Sequence, residues 1–292
     1  MNSHPVLYRL SVLLAACTLI LLVAGALIAG AGSPLGTAAG NSPWVRLHVI
    51  AGAAVGVVAL ATLVTLFRAK VPKWLKMTGW GYLAALGASA LLGLLPRGPV
   101  AGVAHAVVSH LLFALAVLLS LGASPAWASE ALPMEDRGWP SLRALARLTP
   151  AAVLLQIAMG ACYRYQAISA ISHVSWAFPV ILMILMLATF TLTSANAEDH
   201  ADLRKGSIAL MTLVCVQVVL GVVAFLARMD PPLDFLRGDT MAAVRATHLG
   251  TGALVFGFTV ALAAQILHCA VPAASRTTQA TTGDLTGNGR RG

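Results

Sequence analysis

The chain has 292 residues, of which 59% are hydrophobic and only 10% are charged, and its mean hydropathy is +0.85. A soluble domain carries about 25% charged residues, so this composition excludes an ordinary soluble enzyme, a disordered chain and a nucleic-acid-binding domain. The formal net charge of +9 is interpreted as a sign of orientation in a bilayer rather than of nucleic-acid binding. We predict an all-α integral membrane protein.

Eight apolar segments reach the length of about 20 residues that a helix needs to cross the hydrocarbon core. They cover residues 6–30, 44–67, 74–95, 100–121, 145–163, 167–190, 205–228 and 241–268. The first segment exceeds the roughly 7–15 apolar residues of a signal peptide, so it counts as a helix. The segments predict two tandem four-helix bundles, in residues 1–122 and 145–270. A proline-containing linker at 123–144 separates them, and a disordered tail rich in Thr, Gly and Ala follows at 271–292.

The lysines and arginines are distributed unevenly between the two sides of the membrane. If the N-terminus is inside, one side carries Arg9, Arg68, Lys70, Lys73, Lys76, Arg137, Arg143, Arg147, Arg204, Lys205, Arg276, Arg290 and Arg291. The other side carries Arg46, Arg97, Arg164, Arg228, Arg237 and Arg245. The positive-inside rule then predicts a multi-pass protein of the inner (plasma) membrane with both termini in the cytoplasm.

The two halves share a pattern of histidines. Each half has a histidine early in its second span, His48 or His173, and another early in its fourth span, His110 or His248. Halves of four spans have the same orientation, so an axis along the membrane normal would relate them. His105 lies five residues from His110, about 140° around the helix, and is interpreted as structural. His4, His200 and His268 are given no role.

Two histidines at similar depth in one bundle are typical of bis-histidine ligation of haem iron, with the apolar macrocycle buried among helices. All ten Asp and Glu residues lie outside the spans, and none of the four cysteines forms a C-x-x-C motif. A zinc site, which needs three or four nearby ligands, is therefore disfavoured. Proton- or cation-coupled transport, which usually uses carboxylates within the membrane, is disfavoured for the same reason.

The odd-numbered spans of the second half add Q-I-A-M-G-A at 156–161 and Q-V-V-L-G at 217–221, and the last span begins with V-R-A-T-H-L-G at 244–250. With eight spans and a matched histidine in every even span, the chain resembles the heme A synthase family of cytochrome oxidase assembly over about residues 6–270. The resemblance implies that His173 and His248 ligate a haem b. It also implies that His48 and His110 hold a substrate haem O, whose methyl group is oxidised to the formyl group of haem A. Haem O synthase, an electron donor, a terminal oxidase and membrane lipid would then be partners.

The chain departs from the family at the glutamate that precedes the histidine of the second span by three residues. Val45 occupies that position, and Val49 replaces the arginine that follows the histidine. The resemblance thus implies haem binding and leaves the catalytic residues unidentified. Two alternatives stay open: a non-enzymatic b-type cytochrome for electron transfer or haem handling, and a transporter or structural partner of an oxidase.

Overall fold

A computed structural model describes residues 4–30, 42–95, 98–128, 132–136, 139–196, 198–226 and 239–272. These residues form nine helices and two three-residue strands. Eight of the helices are long and apolar enough to cross a membrane, which confirms the predicted all-α membrane class.

The membrane-length helices match the predicted segments to within a few residues at each described end. They are α1 (Pro5–Gly30), α2 (Pro43–Arg68), α3 (Lys73–Leu94), α4 (Pro99–Gly122), α6 (Leu142–Arg164), α7 (Ala170–Ser194), α8 (Ala201–Leu226) and α9 (Asp239–Cys269). Three of them, α1, α2 and α4, begin at a proline, whose missing N–H is not needed in the first turn of a helix. Two others have serine N-caps: Ser141 accepts from the N–H of Ala144, and Ser169 accepts from that of Ser172.

Side chains pack in two main cores and a smaller cluster between them. Residues of α1–α4, including Val55, Leu66 and Tyr82, form the first core. Residues of α6–α9, including Leu187 and Ile266, form most of the second. A third cluster joins α1, α4 and α9 through Leu22, Phe113 and Ala253. The two groups of four helices are therefore packed directly against each other.

The linker contains structure that hydropathy did not predict. It holds the short helix α5 (Pro125–Ala128) and strand β1 (Met134–Asp136), which pairs in parallel with β2 (Ala270–Pro272). The carboxylate of Asp136 accepts the N–H groups of Leu142 and Arg143 at 2.7 and 3.1 Å, and so caps the start of α6. Residues 271 and 272, predicted to be part of a disordered tail, belong to β2; the rest of that tail lies outside the described residues.

Aromatic rings reinforce the same end of the molecule, which we call the linker end. The ring of Trp127 in α5 stacks on that of His268 with centroids 4.4 Å apart, and it lies 5.2 Å from the ring of Trp74. These contacts attach the linker to α3 of the first half and α9 of the second.

Candidate functional site

The histidines singled out from the sequence lie at the end of the molecule opposite the linker, where α2, α4, α7 and α9 begin. We call this the histidine end. His48, His105, His173 and His248 are five, six, three and nine residues into their helices. Because a helix rises 1.5 Å per residue, all four lie in the first half of a membrane-length helix.

Each of these four rings packs against a glycine on the preceding helix of membrane length. A Cβ atom added at Gly25 would lie 3.2 Å from Cε1 of His48, and one added at Gly93 would lie 3.5 Å from Cε1 of His105. In the second half, the corresponding distances are 3.0 Å from Gly160 to His173 and 3.1 Å from Gly221 to His248. In all four pairs the edge of the ring formed by Cε1 and Nδ1 faces the glycine. The described structure thus repeats one histidine–glycine contact four times.

This repeated contact includes His105, whereas the position early in the fourth span had paired His110 with His248. The ring of His110 is only 4% exposed, its Nδ1 donates to the carbonyl of Ala106 at 2.7 Å, and it also lies against the backbone of Leu249 in α9. His110 therefore belongs to the contact between the two halves. His105 rather than His110 faces α3, because two residues five positions apart on a helix face different neighbours, and hydropathy does not show which of them faces α3.

The first-half rings bond to backbone carbonyls one turn before their glycines. Nδ1 of His48 lies 3.2 Å from the carbonyl oxygen of Leu21, and Nδ1 of His105 lies 3.0 Å from that of Ser89. A carbonyl oxygen only accepts, so Nδ1 carries the ring proton in both histidines. Nε2 then has the lone pair with which a neutral imidazole binds a metal.

In the second half, glutamine side chains contact the rings instead. The amide nitrogen of Gln156 lies 3.2 Å from Nδ1 of His173 and 3.2 Å from the carbonyl oxygen of the same residue. The amide nitrogen of Gln217 lies 3.4 Å from Nε2 of His248. His173 and His248 are close enough to interact electrostatically.

A second layer of contacts lies one turn further into the membrane. Cβ atoms added at Gly52 and Gly252, each four residues after a histidine, would lie 3.8 Å from Cδ1 of Leu21 and 3.1 Å from the amide nitrogen of Gln217, respectively. At the equivalent place in α3 and α4, the hydroxyl groups of Ser89 and Ser109 are 3.4 Å apart. Leu21, Ser89 and Gln217, each four positions before a histidine-facing glycine, therefore contact the residue one turn after the histidine.

Among the buried polar atoms of the second half that have no hydrogen-bond partner within the described residues, four lie around the histidines. They are Oε1 of Gln156, Nε1 of Trp176, Oε1 of Gln217 and Nδ1 of His248. One comes from each of α6, α7, α8 and α9, near the level of the histidines. Buried polar groups are nearly always paired in proteins, so this cluster has spare capacity to bind a polar group or to rearrange.

The described residues at the histidine end include no cluster of metal ligands but do include a small groove. Among the described residues, no group of three or more His, Cys, Asp or Glu side chains is arranged to hold a metal ion. A groove of about 150 Å³ lined by Cys17, Ile20, Leu47, Ile50, Ala51 and Ala54 lies between α1 and α2, beside His48. It is smaller than the roughly 300–1,000 Å³ of a typical ligand pocket, so a large ligand there would require the helices to separate.

A signal for His105 was present in the sequence. In a helical hairpin with a short loop, residues equally far from the loop face each other. Gly160 and His173 are 13 residues apart, and Gly93 and His105 are 12 apart, whereas Gly93 and His110 are 17 apart.

No protein-family model and no curated protein matches the chain. The resemblance to heme A synthases therefore depends on the topology and on the residues described above.

Proposed function

We propose that the chain is a haem-binding membrane protein of the heme A synthase type. The observation that carries this proposal is the fourfold histidine–glycine contact at one end of the eight helices. Each half supplies two imidazoles at similar depth, which is the donor set of a bis-histidine haem. The flanking small residues allow helices to approach closely.

The geometry favours His48 with His105 in the first half and His173 with His248 in the second. This replaces His110, whose Nδ1 donates to the carbonyl of Ala106 in its own helix and whose ring lies against the backbone of Leu249 at the junction of the halves. Two features fit haem. First, the Nδ1 bonds of His48 and His105 leave the lone pair on Nε2, the arrangement in which a second hydrogen bond orients a metal-bound histidine. Second, Nε1 of Trp176 is buried without a partner among the described residues and can donate a hydrogen bond to an acceptor group of a bound molecule.

Charge at the histidine end is consistent with an anionic ligand. Arg46 and Arg245 precede His48 and His248 by two and three residues. Haem carries two propionate groups, and arginine is well suited to pair with carboxylates. The same arginines would help to fix the depth of the macrocycle.

The proposed reaction is oxidation of the haem O methyl group to the formyl group of haem A, for assembly of a terminal oxidase. Haem supplies the iron chemistry when bound, and the chain binds and orients it through the two histidine pairs. Haem b is the proposed resident cofactor, and haem O and haem A are the proposed substrate and product. Haem O synthase, an electron donor and an oxidase are the proposed partners. The protein would lie in the inner membrane with both termini in the cytoplasm, as the excess of Lys and Arg on that side favours.

A second function, that of a non-enzymatic b-type cytochrome, is favoured by one observation. Val45 occupies the position of the family's glutamate, and the chain has no Asp or Glu within its eight apolar segments. Such a protein would use the same histidines to move electrons or to hand haem on, without changing the haem side chains.

Extraction of haem from purified protein distinguishes the two functions. The protein is made in cells that also make haem O, purified in mild detergent, and its haems are identified by mass. We expect haem A or its alcohol intermediate, and we expect the His48→Ala variant to lose it. A matched His200→Ala variant, altered in a loop at the linker end, should keep it. Recovery of haem B or haem O alone, where an authentic synthase converts haem O under the same conditions, would favour the cytochrome. A colourless protein with ample haem would contradict both functions.

A further inference from the structure

The residue four positions before each histidine-facing glycine differs between the halves. It is Leu21 or Ser89 in the first half and Gln156 or Gln217 in the second. In the first half, the backbone carbonyl of this residue contacts Nδ1 of the ring, at 3.2 or 3.0 Å. In the second half, the side-chain amide of this glutamine contacts a ring nitrogen of the histidine. The two halves therefore hold their histidines by different chemistry.

The orientation of the Gln156 amide follows from its two partners. Its nitrogen lies 3.2 Å from the carbonyl oxygen of His173, which can only accept a hydrogen bond, so the NH₂ group must point there. The same NH₂ group lies 3.2 Å from Nδ1 of His173. Nδ1 is then the acceptor, and the proton of the neutral ring is on Nε2. In this state the Nε2 atom of His173 cannot bind iron.

At His248 the amide lies against the other ring nitrogen. The amide nitrogen of Gln217 is 3.4 Å from Nε2 of His248. A Cβ atom added at Gly252 would lie 3.1 Å from the same amide nitrogen of Gln217. The amide thus lies beside Nε2 of His248, while Nδ1 has no hydrogen-bond partner within 3.5 Å among the described residues and the ring lies near the backbone of Gln217. Within the described ranges, the oxygens of both glutamine amides are also buried without a hydrogen-bond partner. Together with Nε1 of Trp176, four buried hydrogen-bonding atoms therefore have no described partner. Buried polar groups are nearly always paired in proteins, so a rearrangement of these side chains can pair more of these atoms.

We propose that Gln156 and Gln217 are positioning residues that hold the second-half histidines in a state that does not bind iron, and that their amides withdraw when haem binds. The proposal rests on the proposed function. On withdrawal, His173 loses the proton on Nε2 to solvent and takes one up on Nδ1, so the ring stays neutral. Nδ1 of each ring then donates to the carbonyl of residue 156 or 217, as His48 and His105 do at residues 21 and 89. The second half is therefore an exchangeable haem site, because haem competes with the two amides.

The test measures haem affinity at the second half alone. Full-length protein with both His48 and His105 replaced by alanine is purified without haem, which removes the proposed ligands of the first half, and is titrated with haem b in detergent while the Soret band is followed. In this background, Gln156→Leu and Gln217→Leu reproduce the chemistry of Leu21. Because net hydrogen bonds are each worth a few-fold in equilibrium, we expect each change to lower the dissociation constant of haem by about threefold, and the double change by about tenfold.

Three further variants make the result specific. Gln156→Met has nearly the length of glutamine but no amide, so it should tighten binding even if Gln156→Leu misfolds. Gln265→Leu alters a glutamine near the other end of α9 and should leave the affinity unchanged. His173→Ala should abolish the titration. If the amide variants bind haem no more tightly than their parent, or more weakly, while His173→Ala abolishes binding, then the positioning role is wrong and haem binding stands. If the parent itself shows no His173-dependent binding, the proposed function fails, and this inference fails with it.

Discussion

The four glycines that face the histidines offer a graded test of the site. Replacing a glycine by alanine inside a helix usually stabilises the fold by about 0.5–1 kcal/mol, because alanine loses less backbone freedom on folding. Forcing an extra carbon into a packed region costs about 1–3 kcal/mol. The balance between these effects depends on how close the nearest atom lies to the new Cβ.

The distances in the structure set the expected sign at each position. At Gly160 the new Cβ would lie 3.0 Å from Cε1 of His173, well inside ordinary contact, so Gly160→Ala should destabilise the protein by about 1 kcal/mol. At Gly221 and Gly25, with 3.1 and 3.2 Å, the loss should be smaller. At Gly93 the distance to His105 is 3.5 Å, which is an ordinary contact, and the substitution should be near neutral.

Gly87 is the matched control, because it lies inside α3 and a Cβ there would meet nothing within 4 Å. Gly87→Ala should stabilise the protein by about 0.5 kcal/mol. In thermal unfolding in detergent, followed by circular dichroism, Gly160→Ala should then lower Tm by about 2 °C and Gly87→Ala should raise it by about 1 °C. If both substitutions shift Tm in the same direction by the same amount, the ring of His173 does not pack on Gly160 and the description of the site is wrong.

Three other predictions concern the halves and their junction. His105→Ala should reduce bound haem by about half, measured as the pyridine haemochrome per protein, whereas His110→Ala should keep the haem and lower Tm; the reverse result would restore His110 as the ligand. Gly257→Ala should destabilise the contact between halves by about 1–3 kcal/mol, because its Cβ would lie 2.7 Å from Cε1 of Phe113; unchanged thermal unfolding would count against that contact. Asp136→Ala should cost about 1 kcal/mol by removing the acceptor for two N–H groups at the start of α6. Asp136→Asn, which keeps an oxygen there, should cost less, and equal losses for the two variants would argue against capping.

The helices of this protein are easy to predict from sequence, because each crosses an apolar medium in which backbone groups must bond within the helix. Long apolar segments therefore gave eight helices with bounds that differ from the structure by a few residues. The pairing of β1 with β2 could not be predicted in this way. It joins residues 134–136 to residues 270–272, and three-residue strands show no periodicity that a sequence pattern could detect.

The candidate site was predictable in part. The histidines stand out because an ionisable side chain inside a membrane is costly and usually faces the interior of a bundle. The choice between His105 and His110 depends on the rotation of α4, which is set by packing against α3 and α9 and not by the residues of α4 alone. The glutamines were noted in the sequence, but their contact with ring nitrogens depends on side-chain positions that spacing does not give.

Binding of haem iron by the histidines of the two halves can be tested by replacing all four of these histidines at once. The parent and a variant with His48, His105, His173 and His248 all replaced by alanine are purified in parallel from cells with ample haem, and their reduced-minus-oxidised spectra are compared at equal protein concentration. We expect a low-spin haem spectrum in the parent and its loss in the variant, with both proteins folded by circular dichroism. An unchanged Soret band in the variant, or a parent without haem, would contradict it.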